Sequence, residues 1–499
     1  MVPQVAVARA ARAGGPLEGA IGYSHRMIGT AEDRAARFVA GFPGYARTAS
    51  LDEFRRRELA RLDREGHVYL DYTGGGLYGE SQVRRHMDLL LGSVLGNPHS
   101  TNPTSAAATR YVESCRRRVL GFFHADPQEY VAIFTANASQ ALKLVGESYP
   151  FEPGDRFLLT FDNHNSVNGI REFDRAHGAE TVYVPVTPPE LRVDEAALAR
   201  ELGRVRRGGH NLFAYPAQSN FSGVQHPLSW IARAQALGWD VLLDAAAFVP
   251  SNRLDLGAVH PDFVALSFYK MFGYPTGVGA LLARRSALAK LHRPWFAGGT
   301  ITVASVQADI HTLAAGEAAF EDGTLNYAIL PAVEYGLDLL ESVGVDAVHE
   351  RVRCLTGWLL GELAALRHGN GAPVVRIYGP TTTERRGGTV TLNFFDSRGH
   401  FIDHPVIERL AGEHRISLRT GCFCNPGAGE LALGLSKGEL FHCMREVGDD
   451  VAHITYDDFR RCIDDKSTGA VRVSFGWAST FADAEAFLAF ARELRQEAD

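Results

Sequence analysis

Two charged side chains stand in the sequence where solvated surface residues are not expected. Lys270 follows the apolar run Phe263–Ser267 and precedes a glycine-rich turn. A desolvated lysine has a lowered pKa and becomes a usable nucleophile, whereas most lysines remain solvated at the surface. Asp244 ends a wholly apolar run, where a carboxylate pairs with a cation such as a protonated ring nitrogen or caps a helix. Their order along the chain favours an amine and a carboxylate in one site.

Two further segments, each of which also follows a predicted strand, contain residues that could contact a ligand, but their signals are less specific. Asn137, Ala138 and Ser139 lie where a strand turns into a helix, and the free amides of a helix start favour a phosphate. Serine is also an ordinary helix cap, so this signal is not specific. His164 follows the next strand and could stack on a flat aromatic ring, although a lone histidine is more often structural.

A pair of cysteines indicates thiol chemistry. Cys422 and Cys424 lie in a loop rich in glycine and proline, so their thiols are expected to be exposed and reactive. In an extended loop the two side chains would point to opposite sides. The six cysteines of the chain predict thiols rather than a disulfide framework. A metal site that recruits His442 and Cys443 matches no zinc spacing, so we expect no metal.

The segment Tyr72-Thr-Gly-Gly-Gly76 could suggest a dinucleotide-binding loop. It does not fit G-x-G-x-x-G within an evident strand–helix–strand unit. We interpret it as a flexible turn near the site.

Short apolar runs that alternate with helical segments must position these residues. Both faces of each run are apolar, as expected for strands of a mainly parallel sheet covered by helices on both sides. The last two strands have no helix between them, which predicts an antiparallel neighbour. The predicted strands are Tyr130–Phe134, Arg156–Phe161, Thr181–Val186, Asn211–Ala214, Asp240–Leu243, Phe263–Ser267 and Gly279–Arg284, and the helices are Ser139–Ser148, Ser166–His177, Asp194–Arg206 and Pro227–Leu237.

A long helix through Ile329 to Leu340 leads out of this three-layer α/β domain. Beyond it, Gly388–Phe395 and Ala470–Phe475 are predicted strands and Asp483–Glu497 is a predicted terminal helix, which together indicate a second, smaller α/β domain. The predicted division is an N-terminal arm over 1–66, a large domain over 67–340 and a small C-terminal domain over 341–499. The length of 499 residues agrees with more than one core.

The bulk composition excludes several classes of function. The net charge of −7 argues against a nucleic-acid or anionic-membrane surface as the main partner. No apolar run reaches the roughly 20 residues of a membrane helix, and residues 1–20 lack the apolar core of a secretory signal. We therefore expect a cytoplasmic protein.

Together, the motifs resemble the class V branch of pyridoxal-phosphate (PLP) enzymes of the aminotransferase fold. Within it they are similar to the cysteine desulfurase-like domain of molybdenum cofactor sulfurases. The resemblance runs from about Tyr69 to Ser479 and implies a fold-type-I enzyme and a homodimer. The matching stretches are Asn163–Glu172, Pro216–Gly223, Leu243–Pro250, Ser267–Gly277, Phe320–Thr324 and Arg419–Gly427.

The resemblance also implies a role for each matched residue. Lys270 would form the Schiff base with PLP and move the Cα proton, Asp244 would hold the pyridinium nitrogen, and His164 would stack on the ring. Arg472 would clamp the substrate carboxylate and Cys424 would accept sulfur. The remaining residues implied near the cofactor are Asn137, Ala138, Ser139, Gln218, Asn220, Ser267, Tyr269 and Thr300, with Asn220 also near the substrate and Thr300 reaching across from a second subunit.

The implied reaction is removal of sulfur from L-cysteine, with release of alanine and formation of an enzyme persulfide that serves an unknown sulfur acceptor. One alternative is another class V PLP enzyme, an aminotransferase, epimerase or β-lyase acting on a small amino acid. A more distant alternative is a non-enzymatic sulfur-relay or scaffold protein, which would need none of Lys270, Asp244 and Arg472.

Overall fold

The computed structural model describes residues 30–447 and 469–497. The contacts divide the chain into two units, Met1–Gly41 and Phe42–Asp499. In the first unit the described residues form one helix, and residues 1–29 of the predicted arm lie outside the described residues. The predicted boundaries near residues 66 and 340 stay predictions.

The described strands are numbered in chain order. They are β1 Val68–Tyr69, β2 Tyr130–Thr135, β3 Arg156–Thr160, β4 Glu180–Val184, β5 Val186–Thr187, β6 Arg192–Val193, β7 Leu212–Pro216, β8 Asp240–Asp244, β9 Phe263–Ser267, β10 Gly279–Arg284, β11 Ile301–Ser305, β12 Ile310–Leu313, β13 Val375–Tyr378, β14 Thr389–Phe395, β15 Phe401–Ile402, β16 Ile416–Ser417, β17 Arg419–Gly421 and β18 Ala470–Ser474.

The described helices are numbered in the same way, and two 3₁₀ helices cover Pro43–Thr48 and Gly316–Phe320. The α-helices are α1 Ala31–Gly41, α2 Ser50–Glu58, α3 Ala60–Glu65, α4 Glu80–Gly92, α5 Pro103–Phe122, α6 Ala138–Ser148, α7 Asn165–Asn168, α8 Arg171–Ala176, α9 Glu195–Leu202, α10 Ser229–Ala236, α11 Phe268–Phe272, α12 Arg285–Leu288, α13 Pro331–Val343, α14 Val345–Ala365, α15 His404–Glu413, α16 Pro426–Leu433, α17 Lys437–Val447 and α18 Phe481–Glu493.

The central sheet has seven strands in the order β2-β10-β9-β8-β7-β3-β4. The pairs β9–β8, β8–β7, β7–β3 and β3–β4 are parallel. β10 is antiparallel to both of its neighbours, β2 and β9, so every strand except β10 runs in one direction. The predicted mainly parallel sheet is confirmed, as is the antiparallel pair that was expected where no helix intervenes.

Buried residues on both faces of the sheet explain its apolar strands. Leu159 and Leu212 belong to a core cluster that α6 covers with Leu142 and Val145. The alternating residues of the strands, which point to the other face, are equally buried, as Leu158 and its neighbours show. Helices therefore cover both faces, which confirms the three-layer architecture. The predicted helix Ser166–His177 is divided into α7 and α8.

A second, antiparallel sheet contains β13, β14, β18 and β17 in that order, with β15 beside β14. Its register places Arg419 of β17 directly opposite Arg472 of β18. The chain just after β1 joins this sheet, because Asp71 forms a parallel bridge with Ser474. This contact brings an N-terminal segment to the strands of the C-terminal half.

Among the described cysteines, Cys115, Cys354, Cys422 and Cys424 are free thiols, in agreement with the expectation. Cys443 is disulfide-bonded, so the expectation of a thiol is wrong at that position. The described residues contain no group of three potential metal ligands. None of the described helices has both the length and the apolar character needed to cross a membrane.

Candidate active site

The direction of the strands gathers most of the predicted site residues at one edge of the central sheet. β2, β3, β7, β8 and β9 all end there, because these five strands run in the same direction. A crevice beyond the carboxyl ends of the strands is where open α/β sheets bind ligands. The residues that follow or end these strands are Asn137, Ala138, Ser139, His164, Gln218, Asn220, Asp244, Ser267, Tyr269 and Lys270.

Lys270 lies in α11, the short helix that directly follows β9. Burial lowers the pKa of its amine, and the charge of Arg472 lowers it further. The carboxylate of Asp244 and the thiol of Cys424 act in the opposite direction and raise it. Lys270 therefore lies within electrostatic reach of the three other groups on which the predicted chemistry depends.

Asp244 is buried at the end of β8. Its Oδ1 accepts a hydrogen bond from the backbone N–H of Ala246 at 3.0 Å. Among the described side chains, no cation forms an ion pair with this carboxylate. Because a buried carboxylate without a cation is costly, the site has the electrostatic character to accept a protonated ligand group.

His164 begins α7, where its Nδ1 accepts a hydrogen bond from the backbone N–H of Ser166 at 3.1 Å. Burial lowers the pKa of its imidazole, while the charge of Asp244 raises it. Lys270 and Arg472 lower it further. The lowered pKa favours a neutral ring near neutral pH, which is the form suited to stacking on a flat ligand.

The turn from β2 into α6 is tightly built. Asn137 caps the helix, because its side-chain oxygen accepts from the backbone N–H of Gln140 at 3.0 Å. The backbone N–H of Ala138 donates to Ser267 Oγ at 2.8 Å, and the hydroxyls of Ser139 and Ser166 lie 2.6 Å apart. The turn thus joins the ends of β2, β3 and β9.

The other predicted cofactor residues lie in varied surroundings. Gln218 accepts a hydrogen bond from Gln225 at 3.1 Å, and Tyr269 packs against Gly75. Thr300 is fully buried, and its hydroxyl both donates to the carbonyl and accepts from the N–H of Ala297 at 2.9 Å. The hydroxyl of Thr300 is thus engaged within its own loop, and its contact with a second subunit stays a prediction.

Arg472 reaches the sheet edge from β18, and its buried guanidinium contacts several groups. Its Nη1 donates to the carbonyl oxygen of Asn220 at 3.1 Å, and its Nη2 donates to Asp71 Oδ1 at 3.1 Å. Its Nε is buried without a partner. Burial lowers the pKa of Arg472, while Asp71 raises it. The guanidinium thus retains donors for an anionic ligand.

Asp71 joins the two arginines that β17 and β18 place opposite each other. Its second oxygen, Oδ2, accepts from Arg419 Nη2 at 2.6 Å and from Arg419 Nε at 3.0 Å. Like charges directly opposite in a sheet repel, and a carboxylate between them removes that cost. Gly74 allows this arrangement, since a Cβ there would lie 2.5 Å from Asp71 Oδ2.

The two cysteines lie in a tight turn, so the expectation of an extended loop is wrong. The backbone N–H of Asn425 donates to the carbonyl of Cys422 at 3.0 Å, and Phe423 and Cys424 between them have φ of 56° and 55°. Phe423 packs its ring against the guanidinium of Arg472, 4.7 Å from ring centre to Cζ. Cys424 acts electrostatically on both Lys270 and Arg472.

Three residues of this arrangement escaped the sequence analysis. Asp71 ends a short apolar run shortly before three glycines, and that position is a signal that could have identified it. Arg419 and Asn425 lie in the cysteine-loop motif but received no role. The segment interpreted as a flexible turn holds Asp71 in place, because the backbone N–H groups of Gly74 and Gly75 both donate to its carbonyl at 3.0 Å.

Comparisons with known proteins agree with this picture. The chain matches the family model described as Aminotransferase class-V over residues 68–487. A similar relative is the molybdenum cofactor sulfurase of Bos taurus, 39% identical over 468 residues that cover 90% of this chain and 52% of that protein. The chain therefore spans about half the length of this relative.

Solved structures share the fold at low sequence identity. The apo cysteine desulfurase from Thermococcus onnurineus NA1 superposes with a TM-score of 0.71 at 23% identity, covering 89% of this chain and 97% of that one. The cystine C-S lyase C-DES in complex with its product cysteine persulfide gives a TM-score of 0.64 at 19% identity, covering 86% of this chain and 98% of that one. At these identities the likeness shows the fold alone.

Proposed function

The chain belongs to the class-V aminotransferase family, and on this premise we propose that it is a PLP enzyme that removes sulfur from L-cysteine and carries it on Cys424. The observation that carries the proposal is the position of the turn that holds Cys424. The carbonyl of Cys424 accepts from the backbone N–H of Asn165, next to His164, and the adjoining Phe423 ring lies 4.7 Å from the Arg472 guanidinium. An amine, a guanidinium and a thiol in one site are the groups that this reaction requires. The names of the similar proteins support the same class of chemistry.

The residues at the sheet edge fit PLP. Asp244 is a buried carboxylate that lacks a cationic partner among the described side chains, and the protonated ring nitrogen of PLP would supply one. Lys270 would attach to the cofactor through its amine, whose lowered pKa favours the neutral, nucleophilic form. His164 would stack on the ring, and Ala138, Ser139 and the start of α6 would lie at the phosphate. When bound, PLP supplies an electron sink for carbanion chemistry.

Arg472 and Lys270 bind the substrate and move its proton. Arg472 binds the α-carboxylate of the substrate with the N–H groups that Asp71 and Asn220 leave available. Lys270 takes the proton from Cα of the substrate and returns it during product formation. Both residues are held by buried surroundings, so the substrate is oriented before its bonds change.

Cys424 provides the nucleophile. Its thiolate attacks the sulfur of the substrate, a new S–S bond forms, and the C–S bond breaks with its electron pair left on the substrate Cβ. That carbon takes a proton and becomes the methyl group of alanine. The balance is L-cysteine plus enzyme thiol giving L-alanine plus enzyme persulfide, with no external oxidant or reductant. The name of the Bos taurus relative favours the molybdenum cofactor as the eventual sulfur acceptor.

The β-lyase is the second candidate, because one structure of the same fold is that of a cystine C-S lyase, C-DES. A lyase would release its sulfur-containing product from the substrate without transfer to an enzyme thiol. The clustering of Lys270, Asp244 and Arg472 speaks against a scaffold, since a scaffold needs none of these charges in one site.

Product analysis separates these candidates. PLP-loaded protein is incubated with L-cysteine, with L-cystine and with L-alanine, and the products are quantified with and without a reductant. We expect alanine from L-cysteine in amounts equal to the sulfide that the reductant releases. Pyruvate and free ammonia from L-cysteine or L-cystine would establish the lyase, and the keto acid of the substrate with the amino group left on the cofactor would establish an aminotransferase. Either result would overturn the proposed reaction.

A further inference from the structure

The turn that presents Cys424 has an unusual backbone. Phe423 and Cys424, its two central residues, both have φ near +55°. Two successive central residues with positive φ are typical of a type I′ turn, where asparagine and glycine are favoured. For other residues the left-handed region costs on the order of 1 kcal/mol each, so such a turn persists only where its surroundings hold it.

Two N–H donors from other segments bind the carbonyls of this turn, and the side chain of its last residue, Asn425, anchors it. The backbone N–H of Asn165 donates to the carbonyl of Cys424 at 2.7 Å, and Asn220 Nδ2 donates to the carbonyl of Phe423 at 2.8 Å. Asn425 completes the set from a fully buried position. Its Nδ2 donates to the carbonyl of Asp162 at 2.7 Å and to Asn220 Oδ1 at 2.9 Å.

Asn220 connects the turn to the arginine of the site. Its carbonyl accepts from Arg472 Nη1 at 3.1 Å, while its side chain contacts both Phe423 and Asn425. Phe423 adds a second connection, because its ring lies against the Arg472 guanidinium. The position of Cys424 relative to Arg472 therefore depends on the orientation that Asn425 gives to the Asn220 amide.

We propose that Asn425 is a positioning residue that locks the strained turn and thereby fixes Cys424 relative to Arg472 and Lys270. This inference rests on the proposed function, in which Cys424 accepts sulfur. Asn425 also caps α16, since its Oδ1 accepts from the backbone N–H of Ala428 at 3.3 Å. Capping needs only the side-chain oxygen, whereas locking the turn needs the two hydrogen bonds that Nδ2 donates.

The variants Asn425→Asp and Asn425→Ser separate these two roles. Both keep an oxygen that caps α16, and both remove the Nδ2 donor. Asn102→Asp is a matched control, because the exposed Asn102 caps α5 in the same way, with its Oδ1 accepting from the backbone N–H of Ser105. All variants are loaded with PLP and mixed with a single equivalent of L-cysteine, and persulfide on Cys424 is followed in time by quenching and mass spectrometry.

We expect persulfide formation to slow by about 10- to 100-fold in both Asn425 variants, because a displacement of the nucleophile by about 1 Å can cost about 100-fold in rate. Binding of L-cysteine, followed by the change in cofactor absorbance, should be unchanged, since Arg472 is intact. Hydrogen exchange of the unliganded protein gives a readout that needs no activity: the amides of Asn165 and Asn425 should exchange faster than in the parent. Asn102→Asp should match the parent throughout.

Other results contradict the assignment in distinct ways. Parent-like persulfide formation and exchange in both Asn425 variants would reduce Asn425 to a helix cap. Loss of cofactor or of the folded state in both variants would make it a residue of general stability instead of a positioning residue. If the parent itself forms no persulfide on Cys424, the proposed function fails, and unchanged exchange at Asn165 would then separately reject the lock.

Discussion

Burial sets the chemistry of Lys270, and the neighbouring charges adjust it. Desolvation lowers the pKa of the amine, the Arg472 charge adds to this effect, and the Asp244 carboxylate opposes it. The neutral amine is therefore more abundant near neutral pH than for an ordinary lysine.

The pH dependence of cofactor attachment tests this electrostatic balance. The rate at which the apo protein takes up PLP, measured by its absorbance, should rise with pH with a midpoint below the ordinary lysine value of 10.5. Because Asp244 raises the pKa of Lys270, Asp244→Asn should move the midpoint to still lower pH. A midpoint at or above 10.5, or an upward shift in the variant, would contradict the assignment.

We expect replacement of Asp71 to lower the free energy of unfolding strongly. It is buried between Arg419 and the buried Arg472, so Asp71→Ala leaves two like charges opposite each other without compensation. Breaking a buried ion pair by removal of one partner costs about 3 kcal/mol or more in free energy of unfolding. Urea denaturation of the PLP-free protein measures this effect.

The matched control for Asp71 is the exposed pair of Arg253 and Asp346, whose carboxylate is 80% exposed. Asp346→Ala should cost about 0.5 kcal/mol or less, because surface ion pairs contribute little. Equal costs for the two variants would show that Asp71 acts as an ordinary surface carboxylate.

At the scale of elements, the close approach of β10 to the phosphate turn depends on a missing side chain. A Cβ on Gly279 would lie 2.6 Å from the backbone of Asn137 and 2.5 Å from the carbonyl oxygen of Leu266. Gly279→Ala should therefore displace the turn, lower the free energy of unfolding by about 1–3 kcal/mol and weaken PLP binding. Thermal unfolding and cofactor titration measure the two effects.

Gly361→Ala is the control for this substitution. Gly361 lies within α14 with no atom within 4 Å of an added Cβ, so alanine there should raise the free energy of unfolding by about 0.5–1 kcal/mol. If Gly279→Ala behaves like Gly361→Ala, the packing argument for the turn is wrong.

The strands of the central sheet were predictable because each buried strand is a continuous run of apolar residues in the sequence. Phe263–Ser267 and Gly279–Arg284 have the bounds that the sequence predicts, and the two faces of each are covered. The residues at the ends of these strands were predictable for the same reason, since parallel strands end at one edge. Lys270 and Asp244 are the clearest cases.

The residues that the sequence did not reveal are those whose role depends on pairing across long sequence distances. Asp71 contacts Arg472 because the chain after β1 forms a bridge with β18. No local sequence pattern predicts a contact between residues so far apart in the chain. The turn at Cys424 was misjudged because its positive φ values fall on phenylalanine and cysteine, against their local preference. Asn425 and Asn220, which hold it, come from separate segments.

At the scale of the whole molecule, the hairpin of β11 and β12 exposes apolar side chains. Val306 is fully exposed, and Val303 and Ile310 are more than half exposed, with Trp295 close by in sequence. Exposed apolar groups of this kind mark protein contacts. We therefore expect this hairpin to lie in the interface of the predicted homodimer.

Sedimentation tests this prediction. The parent should sediment as a dimer, and the double variant Val306→Asp with Ile310→Asp should sediment as a monomer with reduced activity. Leu237→Asp, which changes an exposed leucine next to α10, should leave the dimer intact. A parent that is monomeric and fully active would contradict the prediction and, with it, the role of Thr300 across subunits.

The central claim is that Cys424 carries the sulfur, and the most direct measurement is the location of the persulfide after one turnover with L-cysteine. PLP-loaded parent, Cys424→Ser and Cys422→Ser proteins are quenched with an alkylating agent, digested and mapped by mass spectrometry, while alanine is quantified. Both thiols are exposed in the same turn, so Cys422 is a matched control. We expect one added sulfur on Cys424 in the parent and in Cys422→Ser, and loss of both persulfide and alanine in Cys424→Ser. Alanine production at the parent level by Cys424→Ser would contradict this claim.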